Sequence, residues 1–329
     1  MKNWRSGLRA NRPGGSRCEI KTLRKEIQTG GAIPEMKMKA AILQTKVFPD
    51  KEKNIRQLED ILASGKTEGA DLVTLPEMFA CPYETGNFPL YAEPEGGPSW
   101  QQLSALAKKY GVYLSAGSMP ESEIDFPQGL SPVPASVGEG GDAPGIRVYN
   151  TAYVFDREGK QIGKHRKAHL FDINVSGGQC FKESDTLSPG SRIGCFETEF
   201  GKIGLCVCYD FRFPETARLM AQEGAKVILV PAAFNMTTGP AHWELMFRQR
   251  AVESQCFVIG TAPARDKNSS YVSWGHSIAV DPWGTILTQM DEKEGVRVVT
   301  LDFDYLEKVR SELPLLRHRR TDLYELVRK

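Results

Sequence analysis

Short runs of almost unbroken apolar residues constrain this chain more than any other feature. AAILQ at 40–44, ADLVTL at 70–75, IGLCVC at 203–208, AKVILV at 225–230 and CFVIG at 256–260 are each five or six residues long. A run that is apolar at odd and even positions alike has no face to offer solvent, so each reads as a buried strand. Helical spacing separates them: residues 51–64 place Ile55, Leu58, Ile61 and Leu62 on one face. Further helices are predicted over 100–109, 213–223, 242–254 and 305–313, and further strands over 111–116, 149–155, 277–280, 286–289 and 296–301. DREG at 156–159 and DPWG at 281–284 are hairpin turns. Strands alternating with helices and hairpins predict a layered α/β fold with mixed sheets.

Two segments break the rhythm. Residues 1–35 carry eight Lys/Arg against three Glu, so the remaining chain holds about −4 of the overall +1 charge. This basic extension reads as a transit peptide, a disordered tail, or a start assigned ahead of Met36 or Met38. Residues 36–329 then form the folded domain. Within it, residues 121–146 contain five acids and no Lys or Arg among Pro and Gly, which predicts a solvated inserted loop. The body gives no basis for nucleic-acid binding, and no run reaches membrane-spanning length. Seven cysteines, an odd number without a secretory leader, are expected as reduced thiols in the cytoplasm, with organelle targeting by residues 1–35 left open. Metal-ligand spacings are missing, so neither a metal nor another cofactor is expected.

Chemistry gathers at three strand ends. LPE at 75–77 ends one strand with Glu77, HRKAHLFD at 165–172 carries Lys167 between apolar neighbours, and CYDFRF at 208–213 opens with Cys208. A thiol at a strand-to-helix corner faces the positive end of the helix dipole, which predicts a lowered pKa and an exposed sulfur. A nucleophilic thiol needs a base, and attack on an amide needs a cation or N–H donors for the developing oxyanion. Glu77, Lys167 and Cys208 supply that set.

LPE, HRKAHLFD and GLCVCYDFRFPE, in this order, resemble the three motifs of the nitrilase (carbon–nitrogen hydrolase) superfamily, over about residues 38–324. The resemblance implies a catalytic Glu77–Lys167–Cys208 triad, with a fourth acid at Glu183 in FKESDTLSPG. It also implies a four-layer α-β-β-α sandwich whose subunits pair into an eight-layer homodimer, or a higher oligomer. The 242–254 helix, with Trp243, Met246, Phe247 and Val252, either joins that pairing or packs inside the monomer. PYETGNFPLYAE at 82–93, FNMTTGPAHWELMFRQRAVE at 234–253 and RHRRTDLYEL at 317–326 are similar to the omega-amidase branch. That branch releases ammonia from the terminal amide of 2-oxoglutaramate or 2-oxosuccinamate through a cysteine thioester. On this reading the Tyr209 amide helps hold the oxyanion, and Tyr83, Phe171, Arg212, Phe234 and Thr237 line the substrate pocket. Another amidase of the superfamily, acting on deaminated glutathione or an N-carbamoyl compound, and a catalytically silent binding subunit are the alternatives.

Overall fold

Side-chain alternation in the first strand decides how the layers stack. A computed structural model describes residues 36–125 and 145–329. In β1 (Lys37–Gln44), Met38, Ala40 and Ile42 enter one buried cluster while Ala41 and Leu43 enter another, as a period of two requires. The chain continues through α1 (Lys51–Ala63), β2 (Leu72–Thr74), α2 (Phe88–Tyr91), α3 (Pro98–Tyr110), β3 (Tyr113–Asp125), β4 (Gly145–Phe155) and β5 (Gln161–Arg166). A hairpin of β6 (Asp172–Asn174) and β7 (Cys180–Lys182) follows, then β8 (Gly194–Thr198), β9 (Gly201–Leu205) and α4 (Pro214–Gln222). The last elements are β10 (Val227–Pro231), α5 (Gly239–Ser254), β11 (Phe257–Thr261), β12 (Ile278–Val280), β13 (Ile286–Gln289), β14 (Gly295–Asp302) and α6 (Phe303–Glu312).

Two six-stranded sheets result, ordered β14-β1-β2-β3-β4-β5 and β13-β12-β11-β10-β9-β8. Each has a parallel centre, β1-β2-β3 and β9-β10-β11, with antiparallel edges. On one face of the first sheet, Ala41, Leu43 and Val73 pack with Ile55, Leu58 and Leu62 of α1 and Leu103 and Leu106 of α3. Its other face shares a core with the second sheet, and Thr74 Oγ1 lies 2.8 Å from Thr261 Oγ1. Met220 of α4 and Phe247 of α5 join that core. Gly204 lets α4 approach closely, since a Cβ there would lie 2.5 Å from Met220 Sδ. The order is therefore α-β-β-α. Asp50 caps α1 by accepting from Lys53 N, a contact worth about 1 kcal/mol. Truncating the buried Leu58 to alanine costs about 2–5 kcal/mol.

One expectation changes. The segment read as a solvated loop over 121–146 is strand at both ends, because β3 runs to Asp125 and β4 starts at Gly145. Glu121 is only 2% exposed, and Thr151, Lys164 and Arg166 satisfy its carboxylate. The centre of that segment and the basic extension lie outside the described residues. Of the two placements open to the 242–254 helix, Trp243 and Phe247 take the internal one, packing edge-on to Phe234 and against Phe211 respectively. Among the described residues no helix is long and apolar enough to cross a membrane.

Candidate active site

Each expected residue follows the end of a strand. Glu77 lies three residues beyond β2, Lys167 directly beyond β5 and Cys208 three beyond β9. A bulge in β3 between Ser115 and Ser118 shapes the Glu77 turn. Gly117 sits there at φ 62°, and a Cβ would lie 2.1 Å from the Pro76 carbonyl oxygen. Next to it, Ser118 N donates to Pro76 O, and Ser118 accepts from Met78 N through Oγ and from Phe79 N through its carbonyl. Lys167 is fixed by its main chain, donating to Asn150 O and accepting from Gly190 N, both at 2.8 Å. Cys208 has φ 45°, a left-handed conformation uncommon for a residue with a Cβ. It opens the 3₁₀ turn Cys208–Arg212 that leads into α4.

The side chains converge in a water-poor interior. Lys167 Nζ donates to Glu77 Oε1 and to Glu183 Oε1, each at 2.9 Å, and all three side chains are fully buried. Glu77 Oε1 also accepts from Asn150 Nδ2 at 2.8 Å, and Oε2 from Ala233 N at 2.9 Å. Glu183 Oε2 accepts from Phe171 N at 2.7 Å. The Tyr83 hydroxyl stands 2.7 Å from Glu183 Oε1 and 3.1 Å from Glu77 Oε1, so its one proton serves the nearer carboxylate. Burial by itself would lower the Lys167 pKa, but the Glu183 and Glu77 charges overcome it and hold the ammonium above its ordinary value. Burial pushes Glu183 upward, aided by Glu77 and opposed by Lys167.

Cys208 departs from expectation. It is 5% exposed, and burial followed by the Glu77 charge pushes its thiol well above the ordinary value. Lys167 and the Ala233 amide pull the other way without prevailing. Desolvation outweighs the helix dipole because a thiolate here would share a dry space with carboxylates. That direction favours the thiol form of Cys208 beside the Glu77 carboxylate.

Around this centre Tyr83, Phe171, Phe181, Tyr209 and Tyr271 form an aromatic box, with ring centroids of contacting pairs 4.5–6.0 Å apart. Phe181 arrives on the β6–β7 hairpin. Glu77, Tyr83, Ala233 and Tyr271 line a cleft of about 260 Å³. A larger hollow of about 580 Å³ beside α1, lined by Lys53, Arg56 and Glu294, contains none of these groups. Arg212 lies with its guanidinium 4.3 Å from the Phe234 ring centroid and donates to His242 Nδ1 at 2.9 Å. Among the described residues it has no acidic partner. Phe234 is buried and Thr237 exposed, the latter against the β6–β7 hairpin at Gly178.

Sequence reasoning missed Asn150, the Ala233 amide, Tyr271, Phe181 and Asp210. Asp210 had a signal, being an acid two residues after the thiol in a run whose Cys206, Val207, Cys208 and Phe211 are all buried. The others join across long separations that no local pattern encodes.

A family model described as carbon-nitrogen hydrolase matches residues 39–311. Omega-amidase NIT2 of Danio rerio is 42% identical over 290 residues, spanning 88% of this chain and 97% of that protein. Omega-amidase NIT2 of Homo sapiens is 40% identical over 289 residues, with 88% and 97% coverage. The crystal structure of Saccharomyces cerevisiae Nit3, a member of branch 10 of the nitrilase superfamily, superposes with a TM-score of 0.73 at 38% identity, covering 87% of this chain and 97% of that one.

Proposed function

The chain belongs to the carbon–nitrogen hydrolase family and hydrolyses amides; from that premise we propose that it is an omega-amidase working through Glu77, Lys167 and Cys208. The observation that carries this reading is the buried cluster in which one carboxylate, Glu77, meets both the Lys167 ammonium and the Cys208 thiol.

The reaction proceeds in two halves. Glu77 takes the thiol proton as the sulfur bonds to the amide carbon, and the carbonyl electron pair moves onto oxygen. Lys167 stabilises that oxyanion with the third of its N–H bonds, which in the free site points loosely at the Tyr83 hydroxyl, 3.4 Å away. The Tyr209 amide assists, because it lies in the first turn of the 3₁₀ segment, ahead of any residue able to bond back within it. One such donor is worth about 3–4 kcal/mol in the transition state. The intermediate collapses with cleavage of the C–N bond, Glu77 protonates the departing nitrogen, and ammonia leaves a thioester on Cys208. Water then attacks the thioester carbon and gives a proton to Glu77, the C–S bond breaks, and the sulfur recovers that proton as the carboxylic acid departs. Glu183 holds Lys167 in place throughout.

Arg212 suits the far end of the substrate. It is a partly buried cation, its pKa lowered by burial, with aromatic and neutral neighbours and no carboxylate of its own. A 2-oxo acid bearing a terminal amide brings that carboxylate. Tyr83, Phe171, Phe234 and Thr237 wall the space between. In this reading two chains pair into the eight-layer homodimer of the family, which light scattering checks, and the enzyme works in the cytoplasm.

The test is ammonia release from 2-oxoglutaramate. Folded Cys208→Ala is expected to lose at least about 10⁴-fold in kcat, and retained turnover would sink the assignment. Arg212→Met is expected to raise KM for 2-oxoglutaramate and succinamate by about tenfold or more, with little change for neutral butyramide. An equal change for all three substrates would remove Arg212 from the carboxylate subsite. Preference for deaminated glutathione or an N-carbamoyl substrate over 2-oxoglutaramate and succinamate would move the chain to another amidase class.

A further inference from the structure

Asp210 touches neither Glu77 nor Glu183, yet its fully buried carboxylate engages five donors. Its Oδ1 accepts from Ala168 N at 3.1 Å, His169 N at 2.8 Å and His169 Nδ1 at 2.8 Å. Its Oδ2 accepts from Val207 N at 3.1 Å and from His165 Nε2 at 2.7 Å. An ionised carboxylate only accepts, so both imidazoles present N–H to it. Burial alone would raise its pKa, but the hydrogen bonds from His165 and His169 hold it well below the ordinary carboxylate range.

The donors come from two stretches that, among the described residues, share hydrogen bonds only through this side chain. His165, Ala168 and His169 bracket Lys167 on both sides, and Val207 immediately precedes Cys208. Asp210 also closes its own turn by donating its N–H to Val207 O at 3.0 Å. A shift of this carboxylate therefore moves the lysine segment relative to the nucleophile's turn.

We propose that Asp210 is a positioning residue whose carboxylate sets the separation and aim of the Lys167 ammonium relative to the Cys208 sulfur. The inference rests on the roles given above to Lys167 and Cys208. Asparagine at this position has the same shape but a single acceptor oxygen. Whichever way the amide is turned, its NH₂ faces N–H donors, from Val207 and His165 or from Ala168 and His169. That mismatch separates the two segments without touching a reacting group.

The experiment compares Asp210→Asn, Lys167→Met and the double variant on succinamate, with Cys208→Ala run alongside. Misplacing catalytic groups by an ångström can lower a rate about 100-fold, so Asp210→Asn is expected to lose about 10- to 100-fold in kcat while KM changes little. In the Lys167→Met background the same substitution is expected to lower kcat by less than about twofold more, because the residue it aims is gone. A folded Asp210→Asn protein with unchanged kcat, a change confined to KM, or losses that multiply across the double variant would overturn the proposal. Where Asp210→Asn does not fold, His169→Phe carries the test. It keeps a ring on Phe213, where the centroids are 3.9 Å apart, and deletes one bond to Asp210. A partial fall in kcat that vanishes in the Lys167→Met background supports the clamp, and an unchanged kcat overturns it. Turnover surviving in Cys208→Ala would refute the site assignment itself, a result distinct from any of these.

Discussion

Arg166 turns toward Glu121 and Glu123 at the sheet edge, with N–O distances of 2.7–2.9 Å, whereas Lys167, the next residue, turns into the interior between Glu77 and Glu183. The two clusters use the same chemical types in inverse proportion. Glu121 is one buried carboxylate held by two cations, Arg166 and Lys164, which are 21% and 25% exposed. Lys167 is one buried cation shared by two carboxylates with no exposed member. The pKa directions follow. Burial would raise Glu121, but Arg166 and Lys164 bring it below the ordinary range. Glu183 is raised by burial and by the Glu77 charge, against the pull of the cation they share. Surplus cation fixes a carboxylate as a structural anion, and surplus carboxylate leaves one able to take a proton.

The largest contrast should come from removing each cation. Lys167→Met is expected to lower kcat by about 10²- to 10³-fold and to cost about 3–5 kcal/mol of stability, because two buried carboxylates lose their partner. Arg166→Met leaves Glu121 with Lys164 and Thr151, so a cost of about 1–3 kcal/mol is expected with kcat within about threefold of wild type. Steady-state kinetics and urea unfolding measure both, and equal kcat losses would erase the distinction. A smaller contrast lies in the acids. Glu183→Gln should lower kcat by about tenfold or more through a misaimed Lys167, while Glu121→Gln should change stability and spare turnover.

The smallest effect is in pH dependence. Glu121 has a folded pKa below its unfolded value of about 4.3, so its stabilisation is present above that pH and lost as pH falls through the folded value. The stability gap between wild type and Glu121→Gln should therefore narrow in acid. Glu183 runs oppositely. Its folded form holds the proton more tightly, so its stabilisation is full below the unfolded value and lost as pH rises through the folded one. Urea midpoints at several pH values for the two Gln variants should move in opposite senses, and parallel movement would break the comparison.

How far the sequence could be read depended on how local each cause was. Strands such as VILVP in β10 and the helix over Lys51–Ala63 were legible because their periodicity lies within the segment. Glu77, Lys167, Cys208 and Glu183 were legible as motif residues, and they do meet. Their surroundings were not: Asn150 reaches Glu77 across 73 positions and Ala233 across 156. The Cys208 thiol was read in the wrong direction because the helix end is local and visible, while the burial that overrides it comes from the whole fold. Glu121 was read as solvated for a similar reason, since the arginine that neutralises it lies 45 positions on.

Gly117 carries no chemistry, yet it marks a limit on how this protein can be engineered. Replacing glycine by alanine commonly stiffens the unfolded chain and gains about 0.4–1 kcal/mol where the backbone permits it. Here the left-handed φ and the carbonyl 2.1 Å from any added Cβ forbid it, and that carbonyl belongs to the residue before Glu77. A thermostabilisation library that leaves every catalytic residue untouched would still lose its active members at this position.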